Sequence, residues 1–281
     1  MRVRLWAMAC LWGIGLASTA VAQVPLPTVI PQTQFSSGQS VVPAYEGWIK
    51  NPDGTFTFVF GYFNRNWKEE PVIPVGPNNK LEPGPIDRGQ PTFFHPRRQP
   101  WLFRVIVPAD WGQKELVWSL TVNGKTERAY AQLIPDEEIL ERTIMARGNL
   151  NPGEDDPNKP PVVSIAPVNG AAVSTPVTLT AMVTDDGLPK PRVPRTPRPE
   201  ASKGQAQINT SGRLLPTGLN VSWYQYGGPA KAEFDSRGPM PVNNGHASTM
   251  VRFTEPGTYI LRALASDGAL QKPAEVTVTV R

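Results

Sequence analysis

Cysteine and histidine are scarce in this sequence of 281 residues, which contains only Cys10, His95 and His246 of these two types. Cys10 lies in a segment that we expect to be removed, so the mature chain has no disulfide, no thiolate ligand and no cysteine nucleophile. Two isolated histidines offer little for a histidine metal site or a Ser-His-acid triad. We therefore predict a protein that is not an enzyme.

A strong charge of one sign is also missing. The formal net charge is +4, and Arg2 and Arg4 of the first 22 residues supply two of these charges. So small an excess predicts no nucleic-acid partner. After residue 22, no apolar run approaches the ~20 residues that a spanning helix needs, so we expect no membrane span in the mature chain.

Residues 1–22 have the three parts of a secretory signal peptide. Arg2 and Arg4 precede an apolar run over residues 5–16, and Ala20-Val21-Ala22 forms a small-residue cleavage site. We predict that this segment is removed and that the mature protein is periplasmic or secreted.

Proline and glycine are abundant, with 32 and 24 residues, and they disfavour long helices while favouring short strands and turns. The predicted fold is all-β, with two β-sandwich domains joined by a short helix and a proline-rich linker. The expected divisions are a flexible leader (23–40), an N-terminal β domain with a short C-terminal helix (41–148), a linker (149–161) and a C-terminal domain (162–281) with a basic, proline-rich insert (190–213).

The N-terminal domain carries clear strand patterns. Residues 55–60 alternate between polar and apolar, and residues 102–107 and 116–122 form apolar runs. Asn123-Gly124 follows the last run and predicts a tight hairpin. Residues 69–100 carry many prolines and glycines, which predicts a long surface loop, and the acids that open residues 136–145 predict a helix of two to three turns.

The C-terminal domain carries several motifs set between strand-like runs: Asp185-Asp186-Gly187, Trp223, Pro256-Gly257 followed by Tyr259, and Ser266-Asp267-Gly268. With these motifs the domain resembles bacterial immunoglobulin-like domains related to the PKD family. The resemblance implies a seven-strand sandwich that serves as a spacer or interaction module. Independently, Trp223, Leu179 and Leu261 occupy expected core positions, and Tyr259 fits a tyrosine corner.

Three segments of the N-terminal domain are similar to a recurrent part of uncharacterised exported bacterial proteins. These segments are Tyr45-Glu46-Gly47-Trp48, residues 61–67 and residues 88–92. This similarity implies export but no activity.

Two groups of residues are candidate ligand sites. Trp67 and Trp111 have polar neighbours and lie outside the alternating runs, so they are candidates for exposed residues that bind a sugar or a protein, unless they fold back onto the sheet. Asp185, Asp186 and Asp267 close two strands that end at the same pole of such a sandwich. Their repulsion predicts compensation by calcium or by the insert's arginines, unless they are simply turn residues.

The leading hypothesis is an exported, non-catalytic adaptor, scaffold or protein-interaction module of the cell envelope. The alternative is a carbohydrate-binding module that uses exposed aromatic residues of the N-terminal domain, and a weaker one is a hydrolase built on residues 69–100. The expected partner is an envelope protein or a glycan. No cofactor is expected, and calcium is the one candidate.

Overall fold

The computed structural model describes residues 34–149, 155–168, 170–190 and 218–281. The predicted signal peptide, most of the leader, part of the linker and nearly all of the basic insert lie outside these residues. Residues Gln34–Arg281 group into one compact unit. Among the described residues, no helix is both long enough and apolar enough to cross a membrane.

The N-terminal half is a β-sandwich of two three-stranded sheets. One sheet has the order β1 (Val41–Lys50), β2 (Phe56–Asn64) and β4 (Arg97–Val107), and the other has β3 (Asn79–Glu82), β5 (Leu116–Val122) and β6 (Lys125–Ala131). Both sheets fill one core, in which Trp118 packs on Phe60, Phe94 and Phe103. Packing of these aromatic residues holds the two sheets together.

The hairpin prediction at Asn123-Gly124 is confirmed. Both residues have positive φ, 52° and 75°, and Val122 pairs with Lys125 across the turn. This is the backbone geometry that a two-residue type I′ connection requires.

The prediction of a long surface loop over residues 69–100 is wrong. This stretch contains β3, the first residues of β4 and a bridge between Val72 and Phe93. The fully buried Asn79 side chain donates to the carbonyl oxygens of Ile73 (3.0 Å) and Pro91 (2.8 Å). Side-chain amide bonds therefore hold a segment whose prolines and glycines suggested a loop.

The predicted helix near residue 140 is shorter than expected. A 3₁₀ turn over Pro135–Glu137 and the helix α1 over Glu141–Met145 are separated by extended residues. The Ile139 amide donates to the Trp48 carbonyl (2.8 Å), and Glu138 bridges with Trp48. Bonding to β1 thus prevents a continuous helix.

The C-terminal half is a β-sandwich of two four-stranded sheets. One contains β10 (Ala232–Phe234), β12 (His246–Phe253), β8 (Val177–Thr184) and β7 (Val162–Ile165), and the other contains β11 (Met240–Pro241), β9 (Asn220–Gly227), β13 (Gly257–Ser266) and β14 (Gln271–Val280), in those orders. The described residues thus form eight strands where seven were implied, and the two-residue β11 is the shortest of them.

The predicted core of this sandwich is confirmed. Trp223 is 1% exposed, and Leu179 and Leu261 are fully buried in the same cluster. The Tyr259 hydroxyl donates to the Glu255 carbonyl at 2.9 Å, which is the bond of a tyrosine corner.

Direct contacts join the two halves. Tyr226 of β9 packs in the core of the N-terminal sandwich, and its hydroxyl donates to the Gly89 carbonyl. The amides of Thr92 and Phe93 donate to the Tyr226 carbonyl, at 3.2 and 3.3 Å. The division into two independently folding domains at residues 149–161 stays a prediction.

Candidate functional site

A cleft of about 1220 Å³ lies between the two sandwiches. Its N-terminal wall comes from β4 and α1, and its C-terminal wall comes from β9, β13 and the start of β14. The aromatic and apolar part of the lining includes Trp101, Ile144, Tyr224, Leu264 and Pro273. The cleft exceeds the range of roughly 300–1,000 Å³ that is typical of small-molecule pockets, so it has room for a polymer segment.

A β-bulge in β4 shapes the N-terminal wall. Phe103 pairs with Phe60 and Gln99 pairs with Tyr62, so three residues of β4, Pro100, Trp101 and Leu102, stand opposite Gly61 alone. A Cβ at position 61 would lie 2.5 Å from the Gln99 carbonyl oxygen and would also strike Glu46. Gly61 therefore permits the bulge.

The bulge carries backbone strain at an aromatic residue. Trp101 has φ of 50°, in the left-handed region that bulky side chains rarely adopt. A Cβ on Gly148 would lie 2.9 Å from the Trp101 ring, so the ring and the end of the α1 segment are in close contact. Strained backbone of this kind is enriched at functional sites, and Arg147 on the same wall also has positive φ, of 57°.

Positive charge dominates the cleft. Two carboxylates, Glu70 and Glu141, are among its described lining residues, against seven cationic side chains: Arg88, Arg98, Arg104, Arg147, Arg237, Arg262 and Lys272. Four of the arginines form ion pairs: Arg98 with Glu46, Arg104 with Glu141, Arg237 with Glu70, and Arg262 with Glu275. Arg147 and Lys272 are exposed and form no ion pair within the described part of the chain.

Arg262 connects the two sandwiches at the cleft. The residue is 7% exposed, although it belongs to a strand of the C-terminal sandwich. Its Nη1 donates to the Leu102 carbonyl in the bulge (2.6 Å), its Nε donates to Glu275 (2.6 Å), and its guanidinium lies 3.5 Å from the Tyr226 ring centroid. The bulge and the C-terminal sheet are thereby held together.

Glu70 makes the second polar connection across the junction. Its carboxylate contacts Lys231 (2.5 Å), Arg237 (3.2 Å) and His95 Nδ1 (3.3 Å). Burial by itself would raise the pKa of Glu70, but hydrogen bonds from His95, Lys231 and Arg237 outweigh it and lower the pKa to about 2. The charged carboxylate therefore stabilises the folded junction at neutral pH.

We expect Glu70→Gln to lower the free energy of unfolding by about 1–3 kcal/mol near pH 7, since the amide leaves the facing cations without a charged partner. A carboxyl whose pKa is lowered by folding stabilises above its unfolded pKa, near 4.5, and loses that effect as the pH falls toward about 2. Urea denaturation at neutral and acidic pH should show the difference between wild type and variant shrinking in acid. Glu82→Gln, which removes an exposed pair with Lys80, is the control and should change little.

The two candidate tryptophans differ in exposure. Trp67 is 42% exposed, as expected, but the Arg97 guanidinium lies 4.3 Å from its ring centroid and 4.7 Å from that of Phe63. The expectation that Trp111 is exposed is wrong, because it is 7% exposed and its Nε1 donates to the Lys114 carbonyl at 2.8 Å. The chain turns back after Pro108 and packs Trp111 against Phe58.

The three candidate aspartates lie at one pole of the C-terminal sandwich, directly after β8 and β13. Asp185 and Asp186 accept bonds from the amides of Gly187 and Leu188, at 3.0 and 2.9 Å. Asp267 accepts from the amides of Ala269 and Leu270, at 2.6 and 2.7 Å. These are the local turn bonds of the simpler alternative, and whether calcium also binds stays a prediction.

Comparison with known proteins gives no family. No protein-family model matches the sequence, and no curated protein is similar to it. Similar solved structures include a chimeric titin Z1Z2, with 11% identity over 86% of this chain and 98% of that chain and a TM-score of 0.24. The D00-D0 domain of intimin is similar at 10% identity over 85% of this chain and 100% of that chain, with a TM-score of 0.28. An S-layer protein is similar at 11% identity over 81% of this chain and 23% of that chain, with a TM-score of 0.23. The all-β sandwich assignment accordingly rests on the sheets of this chain itself.

Proposed function

We propose that this chain is an exported, non-catalytic adaptor of the cell envelope that binds an extended acidic polypeptide segment of a partner protein in the cleft between its two sandwiches. The observation that carries the proposal is the excess of cationic over anionic side chains along the cleft. The signal-like residues 1–22 support a periplasmic or secreted location.

The charge pattern favours a linear acidic ligand. Arg147 lies beyond α1 on one wall and Lys272 lies on β14 on the other, so opposite sides of the cleft each contribute an exposed cation that has no ion pair among the described residues. Arg104 and Arg98 are exposed but already bound to carboxylates, which an acidic chain could exchange for its own. Several separated anionic groups on one chain satisfy such a distribution better than a single compact anion.

The rest of the lining favours a polypeptide. Gln99, Ser222 and Gln271 add polar side chains beside the apolar groups of Trp101 and Leu264. A peptide offers both backbone hydrogen-bonding groups and apolar side chains, whereas a sugar site generally uses a free aromatic face. Trp67, the exposed aromatic candidate for sugar binding, has its ring covered by Arg97.

The environment of His95 supports a non-catalytic role. Its Nδ1 lies 3.3 Å from Glu70 and its Nε2 lies 2.8 Å from the Gln225 carbonyl. Both ring nitrogens therefore contact protein acceptors at the junction between the sandwiches. This arrangement uses the histidine for assembly of the cleft and leaves neither nitrogen free for a substrate.

The test is binding of labelled poly-L-glutamate, measured by fluorescence anisotropy. The double variant Arg147→Glu/Lys272→Glu should weaken binding about tenfold or more, because two attractive charges become repulsive at the site. The control, Lys50→Glu/Arg128→Glu, makes the same change in net charge at exposed residues outside the cleft and should alter affinity by less than about threefold.

Three results would contradict the proposal. Equal losses in the two double variants would mean that binding depends only on net charge. Absence of binding to poly-L-glutamate at low salt would exclude an acidic polypeptide. Binding of alginate, an anionic polysaccharide, in the cleft without binding of poly-L-glutamate would replace the proposal with the carbohydrate alternative.

A further inference from the structure

Three polar side chains from different segments meet at the pole where β8 and β13 end. Asn158 comes from the linker, Asp185 follows β8, and Asp267 follows β13. Asn158 and Asp267 are each 4% exposed, and Asn158 Nδ2 donates to Asp267 Oδ2 at 3.1 Å. A linker residue is therefore part of the polar centre of this pole.

Two oxygen atoms at this pole are buried without a donor. They are Oδ1 of Asp185 and Oδ1 of Asn158, and neither receives a hydrogen bond from the described residues. Buried oxygens of this kind are nearly always satisfied in folded proteins, by protein, by water or by an ion. Asn158 is hydrogen-bonded to Asp267, and Asp185 belongs to the same pole, so an ion bound there would give both oxygens a partner.

Negative charge lies close to these two oxygens. The carboxylates of Asp185 and Asp267 both belong to this pole, directly after β8 and β13. Neither Asp185 nor Asp267 forms an ion pair within the described ranges of the chain. A cation that takes oxygen ligands therefore fits this site better than a neutral water molecule does.

We propose that Asn158, Asp185 and Asp267 bind a calcium ion. Calcium takes 6–8 oxygen ligands and accepts irregular geometry, so carboxylate, amide and backbone oxygens and water can complete the site. No three acidic, histidine or cysteine side chains of the described residues are grouped so as to hold a metal. The amide oxygen of Asn158 is thus an essential part of this site.

Asp186 is not a ligand in this proposal. It is exposed to solvent, whereas Asn158 and Asp267 are each 4% exposed. The site consequently differs from a cluster of the three aspartates, because the linker residue takes the place of Asp186. Calcium would then tie the linker to both strand ends.

The test uses the full mature chain, freed of metal with a chelator, and measures calcium binding by calorimetry and thermal melting. Calcium should bind and raise the melting temperature as its concentration increases, because a ligand of the folded state alone stabilises it by mass action. Asp185→Asn should weaken calcium affinity about tenfold or more, whereas the matched variant Asp186→Asn should change it less than about threefold.

The metal-free melting temperature separates loss of binding from loss of folding. Asp185→Asn should melt at or above the wild-type temperature in chelator, since it removes a buried negative charge. No heat of binding and no melting shift at millimolar calcium would overturn the proposal. An equal loss of affinity in Asp185→Asn and Asp186→Asn would overturn the assignment of ligands.

Discussion

Trp223→Ala should lower the free energy of unfolding by about 3–5 kcal/mol, the usual effect of removing a large aromatic side chain from a packed core. Trp223 is almost fully buried in a cluster with Leu179, Val251 and Leu261, which both sheets of the C-terminal sandwich contribute. Such a loss is a large part of the stability of an ordinary domain. Urea denaturation followed by circular dichroism measures it.

Trp67→Ala is the matched control, because Trp67 is the most exposed of the described tryptophans. Its contacts with Arg97 contribute little in comparison with a core position, so a change below about 1 kcal/mol is expected. Comparable losses for the two variants would contradict the assignment of Trp223 to the core.

Arg262→Ala should lower the free energy of unfolding by about 2–4 kcal/mol, because it breaks a buried bond between the two halves. The variant leaves the Leu102 carbonyl without its donor and removes the guanidinium from the Tyr226 ring. Glu275 is 48% exposed on its side chain, so water can take the place of its lost partner and limit the effect.

Arg104→Ala provides the comparison for Arg262. The Arg104 guanidinium donates two hydrogen bonds to the Glu141 carboxylate, at 2.7 and 2.8 Å, but both side chains are about two-fifths exposed. Exposed pairs contribute roughly 0–1 kcal/mol, so this variant should be close to wild type in denaturation experiments. A loss as large as that of Arg262→Ala would show that the buried junction bond has no special role.

Local patterns of the sequence predicted the features that depend on neighbouring residues. Asn123-Gly124 specified its hairpin because both positions need positive φ, and the alternation around Trp223 specified a strand that buries this tryptophan. Tyr259 followed a Pro-Gly turn and forms the expected bond to Glu255. Such features require no knowledge of distant parts of the chain.

Features that depend on distant contacts escaped prediction. Trp111 has polar neighbours in sequence, yet a turn carries it onto Phe58 of another strand. The strand β3 is only four residues long, and buried amide bonds of Asn79 secure it among prolines. The strength of these tertiary contacts outweighs the local composition.

The cleft had no signal in the sequence. Its cationic residues are distributed from Arg88 to Lys272, and no local run of charge marks them. The packing of one sandwich on the other brings them together, and Gly61 with the bulge at Trp101 gives the wall its shape. Gly61 belongs to a segment that is similar to other exported proteins, but that similarity gives no structural reason for the glycine.

Site-specific crosslinking tests most directly whether an acidic chain binds in the cleft. A photoreactive benzophenone side chain at position 99, on the cleft wall, should crosslink to labelled poly-L-glutamate, whereas the same group at position 67, beside Arg97 and outside the cleft, should not. Mass spectrometry of the irradiated samples gives the yield at each position. Crosslinking at position 67 alone, or equally at both positions, would contradict the cleft as the binding site.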